Sequence, residues 1–467
     1  MSDSPEIVLK ISINFLLIIM SSLETSQPEK AKSSEITIFA KTDFRNKPTP
    51  FGIKRPDRRA HLYILGKTGT GKSTLLEALM LDDARKGFGF ALLDPHGDLV
   101  KRIKARIPWS RRDDVIDFDA ADSSQPYGFN PLANIPVDKR PLACSGLIQV
   151  FKHLWNDSWG PRLEYILRNS LLSLLDYPGS NLSDILKLLS DREFRKKVIP
   201  YIQNEQIREF WTKEFDKYPE RLRAEAVSPI QNKVGAFLSH PLLQKILTKP
   251  ENPLSLRKIM DEGKILLVNL AKGSIGEDTS NLLGSLLISR FDLAALSRAN
   301  IPEGERRDYT LYMDEFHNFT TQSLVLMLSE LRKYRLSLVL AHQYLTQLEP
   351  SIKDAILGNV GTIIVFRIGA TDAEVFAQEF APVFKQPDFT NLPNYHIFLK
   401  LMIDGRISQP FSAVTIPPDS TEIETPEPDN SEAELLESGI SNADASQSNN
   451  LSNPNFSPPQ PLPNDSE

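Results

Sequence analysis

From His61 onward, short runs dominated by apolar residues alternate with helical stretches: Leu62–Leu65, a helix to Arg85, Gly89–Leu93, then Val115–Asp119. Near-continuous apolar runs of this length are what strands covered on both faces require, so the rhythm predicts βαβ units and a mostly parallel sheet. Between about Asn134 and Pro253 the rhythm stops. Apolar residues there recur at three and four, as in Leu147, Val150, Phe151 and Leu154, or Ile166, Leu171, Leu174 and Leu175. That is the stripe of a helix with one buried face, and an all-helical insertion is expected. Alternation returns with Ile265–Asn269, a helix Thr279–Arg298, strand Tyr309–Met313, a helix Ser323–Arg332 and strand Ser337–Ala341. A helix Ile352–Leu357, strand Thr362–Arg367, a helix near Thr371–Glu379 and strands His396–Met402 and Gln409–Val414 close the domain.

The flanks differ in kind. Residues 21–45 are rich in Ser, Glu and Lys and read as a linker or a weak edge strand, so order is expected to begin near His61. After Pro417 the chain turns to Pro, Ser, Asn, Asp and Glu, too polar to bury enough surface to offset chain entropy, and a disordered tail is expected. The layout is therefore an N-terminal extension or linker over 1–50, one α/β domain from 51–133 and 254–417, a helical insertion over 134–253, and an acidic tail over 418–467. A chain of 467 residues exceeds one ordinary core, which fits a main domain carrying an insertion.

Composition narrows the classes. Apolar residues make up 40% and charged residues 24%, an ordinary globular balance. The net charge of −6 conceals an asymmetry: eleven acidic residues and no Lys or Arg follow from Asp419 on, which leaves residues 1–418 at +5. A mildly basic body is compatible with nucleic acid without demonstrating it. The only cysteine, Cys144, has no partner for a disulfide or a thiolate metal site, as expected in the cytoplasm. Ile7–Met20 is apolar but 14 residues long and broken by Lys10, Ser12 and Asn14, short of the roughly 20 residues that cross a bilayer. Met1–Glu6 is acidic where a secretory signal is basic, so the run reads as an amphipathic strand or helix, or as an upstream extension with Met20 as the start.

The strongest chemical signal is Gly66-Lys67-Thr68-Gly69-Thr70-Gly71-Lys72-Ser73, which fits G-x-x-x-x-G-K-[ST] between an apolar strand and a helical run beginning at Thr74. Its glycines let the backbone turn successive N–H groups inward, and the helix start adds its positive end, so the loop Gly66–Thr74 is expected to bind the phosphates of ATP. Lys72 is expected to reach the β- and γ-phosphates, and the Ser73 hydroxyl to ligate Mg2+. Strand Leu311-Tyr312-Met313 delivers Asp314 and Glu315, the first expected to hold the metal directly or through water, the second to act as general base on the attacking water. Gln343, just past strand Ser337–Ala341, is placed to contact both γ-phosphate and water. Arg332, Lys333 and Arg335 precede that strand, and a guanidinium there can serve a neighbouring subunit's nucleotide in a ring. Leu93-Asp94-Pro95-His96-Gly97-Asp98 repeats the pattern of a strand delivering a carboxylate; Asp94 is expected to support the metal's water shell or the loop, and His96 to be a turn residue.

Together, Gly66–Thr74, the Leu93–Asp98 turn, Asp314-Glu315 and Gln343 resemble the HerA/FtsK branch of RecA-like ATPases, and within it the TraG/TraD family of conjugative coupling proteins from type IV secretion. Phe129-Asn130-Pro131-Leu132 before the insertion, Lys264–Leu270 after it, and Arg332-Lys333 carry the resemblance further, over roughly Phe51 to Pro417. It implies a RecA-like P-loop ATPase forming a homohexameric ring that threads DNA, with ATP between subunits. It gives Arg332 the role of a finger acting in trans and suggests a second arginine upstream of the loop strand, Arg58 or Arg59. The insertion corresponds to the family's all-helical domain, which meets DNA-processing partners such as a relaxase or secretion-channel proteins. Members usually carry N-terminal transmembrane helices; here only the interrupted Ile7–Met20 run stands in that place, which implies at most peripheral attachment at the inner face of the membrane. Three functional classes follow: a DNA-translocating motor, a secretion-assembly ATPase acting on protein substrates, and a slow nucleotide-dependent scaffold. All three require Lys72-Ser73 and Asp314-Glu315 to meet at adjacent strand tips.

Overall fold

The computed structural model describes residues 36–43, 48–155, 159–248 and 250–418; the Ile7–Met20 run and the acidic tail lie outside them. Seven of the apolar runs form parallel strands: β3 (Leu62–Leu65), β4 (Gly89–Asp94), β5 (Val115–Asp119), β6 (Ile265–Asn269), β7 (Tyr309–Met313), β8 (Leu336–His342) and β9 (Thr362–Val365). Nearly every residue of β3, β4, β6, β7, β8 and β9 is buried, because helices cover both faces of the sheet. Each fully buried Leu, Ile or Val contributes about 1.5–3 kcal/mol relative to exposure, so this two-sided burial fixes strand identity more firmly than intrinsic preference does.

Four antiparallel strands extend the sheet on the β9 side: β1 (Ile36–Thr42), β2 (Pro50–Lys54), β10 (His396–Lys400) and β11 (Phe411–Thr415). The order across the eleven strands is β2-β1-β11-β10-β9-β3-β8-β7-β4-β6-β5. A strand is therefore already in place at Ile36–Thr42, ahead of the expected start of order near His61. The segment Ile-Thr-Ile-Phe-Ala-Lys-Thr buries Thr37, Phe39 and Ala40, but its partner β11 arrives some 370 residues later, and no local pattern announces that pairing.

Between β5 and β6 the chain is helical: Arg140–Leu154, Pro161–Asp176, Asp184–Ser190, Arg192–Val198, Glu205–Glu209, Glu220–Leu238 and Pro241–Thr248. Its neck is a short parallel pairing of Tyr127–Gly128 with Asn252–Pro253, so the segment leaves and returns at one point. Trp211 is fully buried among these helices, its indole N–H donating to Ser173 Oγ at 2.7 Å. The first helix does not stand apart from the sheet. Ser323 donates to Gln149 at 2.8 Å, Arg290 donates to the Ala133 carbonyl, and one continuous apolar core includes both Val150 and Phe291. Among the described residues, no helix is long and apolar enough to cross a membrane.

A buried ionic cluster ties the approach to the glycine loop to the helix that follows it. Arg58 forks onto Asp83 at 2.6 and 2.9 Å, Arg55 reaches the same carboxylate at 2.8 Å, and the Tyr312 hydroxyl donates to Asp83 Oδ2 at 2.7 Å. The two guanidiniums hold the Asp83 carboxyl below its ordinary range against the opposing effect of burial.

Candidate nucleotide site

All seven parallel strands end on the same edge of the sheet, and the expected site residues gather there. The loop after β3 is pinned at both shoulders: Gly66 N–H donates to the His342 carbonyl at 3.3 Å and Lys67 N–H to the Arg367 carbonyl at 2.9 Å. A Cβ on Gly66 would stand 2.5 Å from Phe366 Cβ, and one on Gly71, which also takes φ of 120°, 2.9 Å from Tyr395 Cδ1, so the motif's two fixed glycines are a steric requirement. Thr70 is buried, its hydroxyl donating to the Lys67 carbonyl at 2.7 Å, while Lys67, Thr68 and Gly69 form the exposed crest. Helix Lys72–Arg85 starts with no side-chain cap on its first turn, where Ser73 and Thr74 stand partly exposed. Its leading N–H groups are thus left for an anion.

Lys72 curls over the loop, its ammonium donating to the Gly66 carbonyl at 2.6 Å and the Lys67 carbonyl at 3.3 Å. Burial lowers its pKa, and the charges of Glu315 and Asp314 oppose that effect. The loop and the carboxylates share an edge, but β3 and β7 are not neighbours: β8 runs between them. This corrects the expectation of adjacent tips, and it gives Gln343, at the end of β8, the middle position. Gln343 Nε2 donates to Glu315 Oε1 at 2.8 Å, and Thr68 Oγ1 donates to Gln343 Oε1 at 3.1 Å. The amide thereby bridges glycine loop and carboxylate.

Asp314 and Glu315 are buried at 9% and 8% exposure, and Glu315 takes φ of 46°, a left-handed conformation rare for glutamate that turns the chain sharply off β7. Burial pushes the Asp314 carboxyl up to about 7, helped by the charges of Glu315 and Asp94. Glu315 Oε2 is buried without a hydrogen-bond partner among the described residues. An uncapped helix start, a buried lysine and crowded carboxylates with too little positive charge between them are the donor set that a triphosphate with a divalent cation satisfies. Among the described residues, no cluster of three or more His, Cys, Asp or Glu is arranged to hold a metal alone, so such a cation would share its shell with phosphate oxygens and water.

Other residues fall elsewhere. Asp94 accepts backbone N–H groups with both oxygens, from His96 at 2.9 Å and from Leu99 and Val100 at 2.9 and 3.2 Å, and so caps the helix Asp98–Arg106. His96 is an exposed turn residue. Arg332 lies before β8, so the ~20 Å length of that strand separates it from its own chain's loop, and its side chain is exposed. Lys333 pairs with Glu330 at 3.6 Å and Arg335 with Asp308 at 4.0 Å. Arg58 belongs to the buried Asp83 cluster, which removes it as a nucleotide ligand, and Arg59 forks onto Asp308 at 2.7 and 2.8 Å. Sequence reasoning missed Tyr395, whose N–H donates to the Thr70 carbonyl at 2.8 Å, and also His317 and Gln347 beside Glu315 and Gln343. None of the three sits in a motif; His317 alone carried a signal, three residues after Asp314.

A glycine loop between a buried strand and a helix, facing carboxylates from a parallel strand two places away, defines a P-loop NTPase on an α/β sheet. The chain belongs to the family described as the type IV secretion-system coupling protein DNA-binding domain, whose model matches residues 50–382. Among solved structures it is similar to the bacterial conjugative coupling protein TrwBdeltaN70, at 18% identity over 81% of this chain and 88% of that one, with a TM-score of 0.56. The plasmid coupling protein TrwB in complex with ADP and Mg2+ aligns at 18% identity over 81% and 89%, TM-score 0.55. VirB4 of Thermoanaerobacter pseudethanolicus aligns at 15% over 81% and 95%, TM-score 0.55. At these identities the likeness is one of fold. No curated protein matches the chain.

Proposed function

We propose that this chain is an Mg2+-dependent ATPase that assembles as a hexameric ring and spends hydrolysis on moving DNA. The observation that carries the reading is the hydrogen-bonded line from Thr68 through Gln343 to Glu315, which joins the phosphate loop to a carboxylate placed to take a proton. The backbone of Gly66–Thr74 holds the triphosphate, and Lys72 exchanges its two loop carbonyls for the β- and γ-phosphates. Ser73 and Asp314 hold Mg2+, which when bound neutralises phosphate charge. Glu315 takes the proton of the attacking water, and Gln343 contacts water and γ-phosphate, so that its bond to Glu315 differs before and after hydrolysis. Arg332, exposed and remote from its own loop, serves the neighbouring subunit. Family membership supports DNA as substrate, and the solved TrwB complexes with ADP and Mg2+ and with GDPNP support the nucleotide and metal.

In this reading residues 51–133 and 254–417, with strand Ile36–Thr42 joined to their sheet, form the motor, 134–253 meets a relaxase or secretion-channel protein, and the ring works in the cytoplasm, with peripheral membrane contact where the secretion channel stands. The test is ATP hydrolysis by the full chain with and without single- and double-stranded DNA. Stimulation by either supports the motor. Equal rates throughout, with no salt-sensitive retention of DNA, overturn it in favour of a motor for protein substrates.

A further inference from the structure

Behind Glu315 and Gln343 lies a second layer of polar groups whose directions are fixed. Gln347 Oε1 accepts the backbone N–H of Gln343 at 3.3 Å and of Tyr344 at 3.1 Å. A backbone N–H can only donate, so the oxygen of that amide must face the turn and its nitrogen must point the other way. There Gln347 Nε2 meets His317 Nε2 at 3.1 Å. An amide nitrogen only donates, so Nε2 of the ring must accept and the ring proton sits on Nδ1, a form that burial of His317 favours by lowering its pKa. Nδ1 faces Glu315 Oε2 at 3.5 Å, and these two atoms are buried without another hydrogen-bond partner among the described residues. One is a donor, the other a carboxylate oxygen, and a shift of about half an ångström joins them.

We propose that Gln347 and His317 are positioning residues for the Glu315 carboxylate. The backbone of the Gln343 turn orients the Gln347 amide, the amide fixes the tautomer of His317, and Nδ1–H holds Oε2, which leaves Oε1 for Gln343 and then for the attacking water. One side chain, Gln347, thus sets both the base and the group that senses the γ-phosphate. The inference rests on Glu315 being the general base. Orienting partners of this kind, an outer group fixing the tautomer of a histidine, are worth roughly tenfold to a hundredfold in activity where they have been removed from metal sites.

The experiment is steady-state ATP hydrolysis by the full chain and its variants, with kcat and KM separated and the thermal unfolding midpoint as a control. Gln347→Glu still accepts the two backbone N–H groups but can no longer donate to His317, so the ring either reverses its tautomer and turns a lone pair on Oε2 or takes a second proton between two carboxylates and makes Glu315 a weaker base; in both cases kcat falls roughly tenfold or more while KM and the midpoint hold. His317→Leu loses kcat in the same way. His317→Asn, whose amide nitrogen takes the place of Nδ1, recovers most of it. In a Glu315→Gln background, Gln347→Glu has no further effect. Wild-type kcat in Gln347→Glu or His317→Leu, with Glu315→Gln inactive, overturns the inference and leaves the base standing. Equal losses in His317→Leu and His317→Asn overturn it too, and decide the matter should Gln347→Glu fail to fold. Wild-type turnover in Glu315→Gln removes the base and the inference together.

Discussion

Replacing Glu315 with Gln changes a charge while leaving shape almost untouched, so its consequences can be worked through group by group. The carbonyl of the introduced glutamine still accepts from Gln343 Nε2, as Glu315 Oε1 does at 2.8 Å, and the exchange of a charge-assisted bond for a neutral one costs about 1 kcal/mol. The left-handed backbone at φ 46° is equally costly for either residue and adds nothing to the difference. Removing the negative charge relieves Asp314, whose carboxyl is raised partly by Glu315, so affinity for the metal–nucleotide complex is retained or improved. What disappears is the proton acceptor, typically worth ~10²–10⁴ in rate, or about 3–5 kcal/mol in the barrier. Phosphate release should fall by at least two orders of magnitude while a fluorescent ATP analogue binds as tightly as to the wild type. Turnover within threefold of wild type, or a matching loss of affinity, would refute the assignment of Glu315.

Other expectations concern distinct parts of the molecule. Arg332→Ala and Lys72→Ala are each expected to abolish hydrolysis, and mixed rings to regain part of it, because an arginine on one subunit completes an intact loop on the next; mixtures as dead as their components would exclude Arg332 as a finger. Asp83→Asn leaves two buried guanidiniums facing a neutral group and should destabilise the fold by about 3–5 kcal/mol in denaturant unfolding, and a loss under ~1 kcal/mol would mean the cluster is dispensable. Burial, reinforced by Glu330, pushes the Asp292 carboxyl up to about 7. The folded protein therefore holds this proton more tightly than the unfolded chain, a contribution complete below the ordinary carboxylate range and lost as pH rises through 7, amounting to an upper bound on the order of 4 kcal/mol. Asp292→Asn should be more stable than wild type at pH 8 and little different at pH 4; the same difference at both would contradict the shift.

Much of the site was legible because its chemistry is local. The glycine loop announces itself through spacing, since the close approach of Phe366 to Gly66 and of Tyr395 to Gly71, the latter at φ 120°, leaves no room for a Cβ at the motif's two fixed glycines. The parallel strands announced themselves through apolar runs, and several ends coincide with expectation, among them Leu62–Leu65, Val115–Asp119, Ile265–Asn269 and Tyr309–Met313. The role of Asp94 was not legible. A carboxylate at a strand tip looks the same in sequence whether it faces a metal or caps the next helix, and only the positions of the Leu99 and Val100 N–H groups decide. The same holds for Arg58, which in sequence is as plausible a phosphate ligand as Arg59 and in space is sealed against Asp83.

The sequence by itself determined the loop, its lysine, the two carboxylates after a buried strand, and the alternation that makes a parallel sheet, because each is set by spacing over a few residues. Tertiary structure decided the rest. Strand order, which inserts β8 and hence Gln343 between β3 and β7, depends on pairings between segments hundreds of residues apart. So does the joining of Ile36–Thr42 to Phe411–Thr415, and the meeting of His317 with Gln347 spans 30 residues and a whole strand between them. Contacts of that kind are paid for by burial and hydrogen bonding across the whole sheet, and no short window of residues contains both partners.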